Sequence, residues 1–239
     1  MKTILITGAS SGIGLATAQA FLKAGWQVGC LARRADALSA AFGGTDSAMI
    51  LPADVTDEAA VDAAVDQLVA RTGRLDVLFN NAGTFGRADT IDGITLEEWR
   101  AVVDLNLTGM FLAARAAFRQ MRRQDPQGGR IINNGSISAH VPRKGSLAYT
   151  ATKHAVTGMT RTLSLDGRAF DIACGQIDIG NARTDLLQGI IDANPTAPPP
   201  SMDVEHAAQA VLNMALLPPE ANVQFMTIMA TKMPYIGRG

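Results

Sequence analysis

The sequence predicts an α/β fold in which a seven-stranded, mostly parallel sheet carries helices on both faces. Short apolar runs alternate with helical patterns along the chain, and this alternation is typical of βαβ units. Because βαβ crossovers are right-handed, we expect the helices in two layers that cover the sheet. A length of 239 residues is enough for one sizeable core, so we predict a single domain spanning residues 1–239.

The individual elements follow from local patterns. Strands are predicted where apolar runs such as TILIT and QVGCLA occur, and helices where LATAQAFLKAGW, EAAVDAAVDQLVARTG and TGMFLAARAAFRQMRRQ place apolar residues three and four apart. Gly25 and Gly73 fall where the first two of these helices should end. The predicted strands are residues 3–7, 27–32, 48–54, 75–81, 129–136, 171–179 and 222–229.

The charge balance narrows the class of partner. The chain has 21 basic and 22 acidic residues and a formal net charge of -1, which is typical of neither a nucleic-acid-binding face nor a polybasic membrane anchor. The N-terminus MKTILITGASSG is apolar for only a few residues, so we predict neither a signal peptide nor a membrane span and expect a cytoplasmic location. The expected partner is a small molecule or another protein chain.

The two cysteines, Cys30 and Cys174, lie far apart in the sequence. They have neither the spacing of metal ligands nor that of a disulfide framework. We expect them to be reduced and buried, and we predict no metal site.

The longest irregular segment covers residues 181–203, where prolines cluster near the end. Loops of this length in compact domains are often lids or binding loops, so we predict a substrate lid here. Disorder is the alternative interpretation, because the segment is rich in proline.

A glycine-rich turn, TGASSGIG, follows the first predicted strand and opens a helix. A backbone without Cβ atoms turns sharply and approaches a pyrophosphate closely, while the helix N-terminus presents unpaired amides. This arrangement predicts a Rossmann fold with a dinucleotide site, although a purely structural turn would use the same residues. The predicted cofactor-binding residues of the turn are Gly8, Ser10, Ser11, Gly12, Ile13 and Gly14.

The residues that follow the second and third predicted strands indicate whether the cofactor is NAD(H) or NADP(H). NAD-binding folds place an acidic residue after the second strand, whereas this chain has Arg33 and Arg34. Because a guanidinium suits a 2′-phosphate, we predict NADP(H), with NAD(H) as the alternative if both arginines are merely solvated. Asp54 is predicted to bond the adenine amino group, next to Val55, and an N-cap role in the next helix is equally natural.

Tyr149 and Lys153 are four residues apart in a helical pattern, so their side chains should share one face. A nearby ammonium and an oxidised nicotinamide both favour the phenolate form of tyrosine and so lower its pKa. Such a tyrosine can serve as acid in carbonyl reduction and as base in alcohol oxidation. Alone, this spacing also arises by chance on many helices.

Five motifs occur together, and with them the chain resembles the classical short-chain dehydrogenase/reductase family. The motifs are TGASSGIG at residues 7–14, NNAG at 80–83, DLNLTGMF with Asn106, GSIS with Ser136 and YTATK with Tyr149 and Lys153. The resemblance runs from residue 3 to about residue 184 and is weakest at the C-terminus.

The resemblance implies a role for each matching residue. Tyr149 is the expected catalytic acid/base, Lys153 lowers its pKa and holds the nicotinamide ribose, and Ser136 bonds the substrate oxygen. Asn106, in a long fourth helix, would anchor a water that links Lys153 to solvent. Further residues expected to line the cofactor are Asn81, Ala82 and Gly83. The structural alternatives are a strand end at Ser136, a buried backbone contact for Asn106 and a simple turn at Asn81.

The chain departs from the family pattern in two places. Where the family has a Pro-Gly pair before a threonine that touches the nicotinamide, this chain has Ile179, Gly180 and Thr184, and we expect Ile179 and Thr184 to contact the cofactor. The glycine-rich family ending is replaced by MATKMPYIGRG, a tail that could pack on a neighbouring subunit in the homodimer or homotetramer that the resemblance implies. The expected interface helices are residues 147–170 and 204–216.

The substrate pocket is expected beside the catalytic serine. Phe85 and the apolar lid residues favour an apolar or aromatic ketone or aldehyde, whereas His140 and Arg143 would suit a polar or acidic group unless they face solvent. The expected lining residues are His140, Val141, Pro142, Phe85, Arg87, Leu186, Leu187, Ile190 and Ile191 within or near the lid at 182–202.

The predicted function is therefore an NADP(H)-dependent oxidoreductase that interconverts a carbonyl and a secondary alcohol. The alternatives are an NAD-linked alcohol dehydrogenase and a non-catalytic protein that senses NADP. A protein that only binds the cofactor has no need of Asn106, Ser136, Tyr149 and Lys153 together.

Overall fold

The structure is a computed structural model that describes residues 1–193 and 195–236. Within these residues the strands are β1 (Thr3–Thr7), β2 (Gln27–Ala32), β3 (Ala48–Pro52), β4 (Val77–Asn80), β5 (Gly129–Asn134), β6 (Ile172–Ile179), β7 (Ala182–Arg183), β8 (Met202–Asp203) and β9 (Phe225–Ile228). The α-helices are α1 (Gly12–Lys23), α2 (Ala35–Phe42), α3 (Glu58–Thr72), α4 (Leu96–Val103), α5 (Gly109–Arg123), α6 (Leu147–Asp166), α7 (Asp185–Ala193) and α8 (Val204–Leu216).

The main sheet has seven strands in the order β3-β2-β1-β4-β5-β6-β9, and all neighbouring strands are parallel. The prediction of a seven-stranded Rossmann sheet is confirmed, and the sheet is parallel throughout. The chain winds outwards from β1 in one direction and from β4 in the other, so a crevice opens at the carboxyl ends of these two strands.

Several predicted strands are one to three residues too long at one or both ends, because polar residues beside them already form turns. Asp54 accepts hydrogen bonds from the N–H and the hydroxyl of Thr56, at 2.9 and 2.8 Å. Ser136 accepts the N–H of Ser138 at 3.1 Å, and its backbone begins a short 3₁₀ turn. These residues therefore leave the sheet at the edge where its carboxyl ends meet.

Two hydrophobic clusters hold helices on the two faces of the sheet. One contains buried residues of α1, α2 and α8, such as Phe21, Leu38 and Val211, and the other contains buried residues of α3 and α5, such as Leu68 and Met121. The two predicted helix layers are confirmed. Gly73 has φ +85° directly after α3, and Gly25 has φ +79° two residues after α1, so both helices end where predicted.

The predicted long fourth helix is continuous from Leu96 to Arg123 but contains a π-helical turn at Asp104–Thr108, between α4 and α5. By length and composition this segment is long and apolar enough to cross a membrane, yet half of its most apolar window is buried in the protein. The apolar face of α5 packs in the cluster with α3, as in the core helix of a soluble protein.

The predicted irregular lid at residues 181–203 contains regular structure. It begins with β7, continues into α7 and returns through β8, which pairs with β7. The prolines at residues 195–200 obscured the helical spacing of the apolar residues in DLLQGII before them. The expected pocket contacts of Leu186 and Ile190 lie outside what the structure describes.

Candidate active site

The glycine-rich turn connects β1 to α1 at the crevice. Gly8 has φ +71°, which favours glycine, and a Cβ atom on Gly14 would lie 2.2 Å from the carbonyl oxygen of Gly8. The side chain of Ser11, the N-cap residue of α1, makes no capping hydrogen bond. The first amides of α1 are therefore available to an anion, together with the partial positive charge of the helix terminus.

Asparagine side chains tie the carboxyl ends of the central strands to this turn. Asn81 donates from Nδ2 to the carbonyl oxygen of Thr7 at 2.9 Å and accepts from Nδ2 of Asn134 at 2.9 Å. The hydroxyl of Thr7 accepts the N–H groups of Asn81 and Ala82 at 2.8 and 3.0 Å. Asn81 is thus more than a turn residue, because it fixes residues 81–83 beside the glycine-rich turn.

Two arginines lie at the end of β2, where the adenosine of a dinucleotide is expected. Arg33 is largely exposed, and its Nη1 lies 3.8 Å from Oδ2 of Asp54. Arg34 donates from Nη2 to the hydroxyl of Ser10 at 3.2 Å. Partial burial raises the pKa of Asp54, but the bonds from Thr56 and the charge of Arg33 outweigh it, so this pKa is lowered overall.

One alternative for this end of the site is wrong, and the expected cofactor contact of Val55 stays a prediction for its main chain. Asp54 does not cap α3, because the N-cap is Asp57, whose side chain accepts the N–H of Ala60 at 3.1 Å. The side chain of Val55 is 5% exposed and lies in the core cluster with α3 and α5. Only the main chain of Val55 is therefore available for a contact with a cofactor.

Helix α6 carries Tyr149 and Lys153 on one face, with the ammonium 5.5 Å from the centroid of the tyrosine ring. Lys153 is 3% exposed and donates from Nζ to the carbonyl oxygen of Asn134, at the end of β5, at 2.7 Å. The ring of Phe85 packs on Tyr149, with ring centroids 5.1 Å apart. The expected pair is therefore present at the crevice, and Phe85 is one wall of the space beside it.

The hydroxyl of Ser136 is close enough to the phenol of Tyr149 to act on its pKa. Burial raises the pKa of Tyr149, the nearby hydroxyl of Ser136 and the charge of Arg143 lower it, and the charge of Asp178 raises it further. The net direction is upward, opposite to the lowering that we expected from Lys153, because desolvation outweighs the favourable contacts.

Burial also governs Lys153. Desolvation lowers the pKa of Lys153 to about 8, against the charge of Asp178, which raises it. The site therefore contains a lysine that changes its charge at mildly alkaline pH, beside a tyrosine that holds its proton firmly.

Asn106 is fully buried in the π-helical turn. Its Oδ1 accepts the N–H of Thr84, and its Nδ2 donates to the carbonyl oxygen of Thr84, both at 2.8 Å. Nδ2 also lies 3.4 Å from the hydroxyl of Thr152 on α6. The side chain thus has the structural role that we considered as the alternative, and it secures the loop after Gly83 against α6.

The structure also contains a pair that the sequence did not reveal. Asp178, near the end of β6, is 1% exposed and accepts the N–H of Ser136 and Nε2 of Gln176 through Oδ1, both at 2.8 Å. Its Oδ2 lies 2.8 Å from Nε2 of His140. An aspartate inside the otherwise apolar run GQIDIG was the available signal, since charged residues are rarely buried without a partner.

Three other predicted site residues have clear places. Arg87 pairs with Asp89 at 2.5 Å and with Glu98 at 3.2 Å, so two carboxylates balance its charge, and its place in the substrate pocket stays a prediction. The side chain of Ile179 is 7% exposed and packs in the core cluster with α1, which leaves only its main chain for the cofactor. Thr184 lies beside the glycine-rich turn, because a Cβ atom on Gly12 would come within 3.2 Å of its methyl group.

The chain is similar to many known proteins over most of its length. A family model described as short chain dehydrogenase matches residues 2–195. The trans-4-hydroxycyclohexanecarboxylate dehydrogenase of Sinomonas cyclohexanicum is 35% identical over 199 residues, which cover 79% of this chain and 75% of that protein.

Solved structures agree with this match. A 3-ketoacyl-(acyl-carrier-protein) reductase from Brucella melitensis, complexed with NADH, superimposes with a TM-score of 0.87 at 27% identity and covers 96% of this chain and 97% of its own. A closed form of serine dehydrogenase complexed with NADP+ has a TM-score of 0.89 at 25% identity and covers 99% of this chain and 98% of its own.

Proposed function

Because this chain belongs to the short-chain dehydrogenase family, whose members are NAD(P)-linked oxidoreductases of CH–OH and C=O groups, we propose that it uses NADP(H) to interconvert a ketone or aldehyde and its alcohol, with Tyr149 as the acid/base. The observation that carries the proposal is the convergence of Tyr149, Ser136 and Lys153. The buried ammonium of Lys153 lies 5.5 Å from the centroid of the Tyr149 ring, and the buried hydroxyl of Ser136 is close enough to lower the pKa of the phenol. The two hydroxyl groups are poised to share one substrate oxygen.

The residues of the crevice fit a dinucleotide. The open N-terminus of α1 suits the pyrophosphate, Tyr149 and Lys153 would hold the nicotinamide ribose, and the main chain of residues 81–83 would line the nicotinamide side. When bound, the nicotinamide supplies or accepts the hydride. The glycine-rich turn gives the proposal a second support. Its close contacts leave no space for larger side chains, so the backbone amides at the start of α1 can face the nucleotide.

The chain's own side chains would manage the proton. In reduction, the hydroxyl of Ser136 donates a hydrogen bond to the carbonyl oxygen of the substrate, where negative charge develops. Tyr149 then donates its phenolic proton to the same oxygen, and in oxidation the phenolate takes the proton back. The charge of Lys153 stabilises the phenolate while it exists. Asn106 keeps the Thr84 loop against α6, and we retain the anchoring of a proton-relay water as a proposal for this residue.

The preference for NADP(H) rests on Arg33 and Arg34. Among the residues that the structure describes, Arg33 is held only by a 3.8 Å contact with Asp54 and the Arg34 guanidinium by one bond to Ser10, so both groups can turn towards a 2′-phosphate. An NAD-linked alcohol dehydrogenase is the second candidate, supported by the acidic Asp54 beside Arg33. In such an enzyme, loss of Arg33 would weaken the binding of NADH and of NADPH equally.

We also propose a homodimer or homotetramer and a cytoplasmic location. Large apolar side chains are exposed on the helices expected to pair, namely Leu147 and Leu165 of α6 and Leu216 of α8. A groove of about 670 Å³ between α5 and α6, lined by residues such as Phe111 and Met159, extends this apolar surface. The location is supported by two buried, free thiols, Cys30 and Cys174, whose pKa values burial raises to about 12.

The test is the oxidation of reduced nicotinamide in the presence of a broad panel of ketones and aldehydes, run in parallel with NADPH and NADH. We expect turnover of at least one carbonyl compound and a higher kcat/KM with NADPH. Tight binding of NADPH without turnover of any compound would favour the NADP-sensing alternative instead.

A further inference from the structure

The pair formed by Asp178 and His140 has a defined protonation pattern. Because a carboxylate only accepts hydrogen bonds, the contact of 2.8 Å places a proton on Nε2 of His140. In the neutral ring the other nitrogen, Nδ1, is then a hydrogen-bond acceptor. Oδ1 of Asp178 is already shared by Ser136 and Gln176, so the carboxylate and the imidazole are held in one orientation.

Nδ1 of His140 is not used by the protein. Among the residues that the structure describes, it has no hydrogen-bond partner, and the side chain is 40% exposed. The loop does not need the imidazole to keep its path, because the N–H groups of His140 and Val141 both donate to the carbonyl oxygen of Ile137, at 3.0 and 2.9 Å. A polar atom therefore remains open to a ligand on a fixed ring.

The ring lies close to the proposed reacting atoms. Asp178 contacts His140 through one oxygen and the N–H of Ser136 through the other, and the hydroxyl of Ser136 is close enough to Tyr149 to lower the pKa of the phenol. The ring of Phe85 packs on Tyr149 as an apolar surface, whereas His140 and Arg143 are polar side chains near Ser136 and Tyr149. Burial of a carboxylate costs free energy. A neutral amide such as that of Gln176 would be enough if the side chain only had to support the loop.

We propose that His140 is a specificity-determining residue whose Nδ1 accepts a hydrogen bond from a hydroxyl group of the substrate, and that Asp178 is the positioning residue that fixes the ring. The inference rests on the proposed function and names its substrate class, namely ketones and secondary alcohols that carry a second hydroxyl group. A neutral hydrogen bond of this kind favours the hydroxylated substrate by about tenfold in kcat/KM.

The test compares ketones that differ by one hydroxyl group. The probes are butanone with acetoin, cyclohexanone with its monohydroxy derivatives, and acetophenone with its α-hydroxy derivative. The measured quantity is the ratio of kcat/KM for the hydroxylated ketone to that for the plain ketone. This ratio cancels any general loss of stability, of cofactor binding or of proton transfer.

Two variants separate recognition from structural support. His140→Asn places an amide near the position of Nδ1 and gives up the contact with Asp178, whereas His140→Gln places its amide near Nε2 and keeps that contact. Recognition through Nδ1 predicts a ratio at least threefold higher in His140→Asn than in His140→Gln, where it falls towards one. Asp178→Asn should lower the ratio at least threefold through a higher KM for the hydroxylated ketone.

The outcomes are distinct. A tenfold preference of the wild type in at least one pair, retained better by His140→Asn than by His140→Gln, supports the inference. Reduction of plain and hydroxylated ketones at equal efficiency would overturn it and leave the proposed function intact, and so would a ratio retained better by His140→Gln. If the wild type reduces no ketone with either cofactor, the proposed function fails, and this inference fails with it.

Discussion

At the scale of single residues, the acidity of the site depends on three groups that face one another. Burial raises the pKa of Tyr149 and lowers that of Lys153 to about 8, while the charge of Asp178 raises both. His140 and Arg143 are the other titratable groups around them, the first paired with Asp178 and the second lowering the pKa of Tyr149. Asp178 therefore helps to keep both proton carriers protonated.

This gives a signed prediction for pH dependence. Asp178→Asn removes a charge that raises the pKa values of Lys153 and Tyr149, so both should fall. Ketone reduction requires a protonated donor, and kcat/KM should therefore begin to decline at a lower pH in this variant than in the wild type. The measurement is the pH profile of kcat/KM between about pH 6 and pH 10.

His140→Asn is the matched control, because it removes the partner of Asp178 and leaves the carboxylate charge in place. Its alkaline limb should stay near that of the wild type. An Asp178→Asn profile that is unchanged, or that moves to higher pH, would contradict the assigned role of this charge.

Arg33 allows a second prediction at this scale. Arg33→Ala should weaken the binding of NADPH by at least about tenfold, since a charge-assisted hydrogen bond contributes about 1.5–3 kcal/mol. NADH lacks the 2′-phosphate and serves as the internal control, with an expected change of less than threefold. The measurement is a fluorescence titration of both cofactors, and equal losses for the two would remove the basis for the NADP(H) preference.

Site residues could be predicted from the sequence when the residues that they contact lie close to them in the chain. They could not be predicted when those contacts lie far away in the chain. Tyr149 and Lys153 were predictable because a helix brings residues four apart onto one face. The partner of His140 lies 38 residues away, and only the fold brings β6 under the loop after Ser136. The ion pair between Arg87 and Glu98 was not predicted for the same reason, because Glu98 lies in a different element.

At the scale of elements, the turn between β1 and α1 depends on close contact between backbone atoms. Gly14→Ala would place Cβ 2.2 Å from the carbonyl oxygen of Gly8 and 2.7 Å from Nδ2 of Asn81. We expect a loss of stability of about 1–3 kcal/mol and at least tenfold weaker binding of NADPH. Thermal denaturation and cofactor titration measure the two effects.

Gly158→Ala is the matched control, because this glycine also lies inside a helix but has no neighbouring atom within 4 Å of the position that a Cβ would occupy. Alanine there should raise the stability by about 0.5–1 kcal/mol and leave NADPH binding unchanged. Equal stability of Gly14→Ala and the wild type would contradict this prediction, because the turn would then accommodate a Cβ atom at residue 14 despite its close contacts.

Helices and strands that bury an apolar face could be predicted from the spacing of their apolar residues. Elements without a long apolar pattern were harder to predict. The central strands and α3 follow from their periodicity and glycine ends. Helix α7 was missed because its helical spacing is short and is followed by prolines, and the π-helical turn at Asp104–Thr108 has no distinct sequence period. Both unpredicted features lie beside the site.

At the scale of the whole molecule, the order of the strands sets the position of the chemistry. Because the winding reverses between β1 and β4, the glycine-rich turn, Asn81, Ser136 and Lys153 converge on one edge although they are far apart in the sequence. The α/β alternation predicted a parallel sheet with two helix layers but not the order of its strands. The additional pairing of β7 with β8 arises within the lid segment.

The exposed apolar surface predicts self-association. The wild type should have a mass of two or four times 25.1 kDa in sedimentation equilibrium. Leu165→Glu, on α6, should lower this mass, since it places a charge in an apolar interface. Leu96→Glu is the control, because Leu96 is as exposed but lies on α4, outside the proposed surface. A wild-type mass of 25.1 kDa at micromolar concentration would contradict the proposed assembly.

The central claim is that Tyr149 transfers the proton in an NADP(H)-linked oxidoreduction. The most direct measurement is the rate of NADPH oxidation by the wild type and by Tyr149→Phe, with one ketone that the wild type reduces as the substrate. The dissociation constant of NADPH is measured for both proteins. We predict that kcat at saturating NADPH falls at least about a hundredfold, a much larger factor than the weakening of NADPH binding that loss of the phenolic hydroxyl causes. A Tyr149→Phe enzyme that retains more than a tenth of the wild-type kcat would contradict the account.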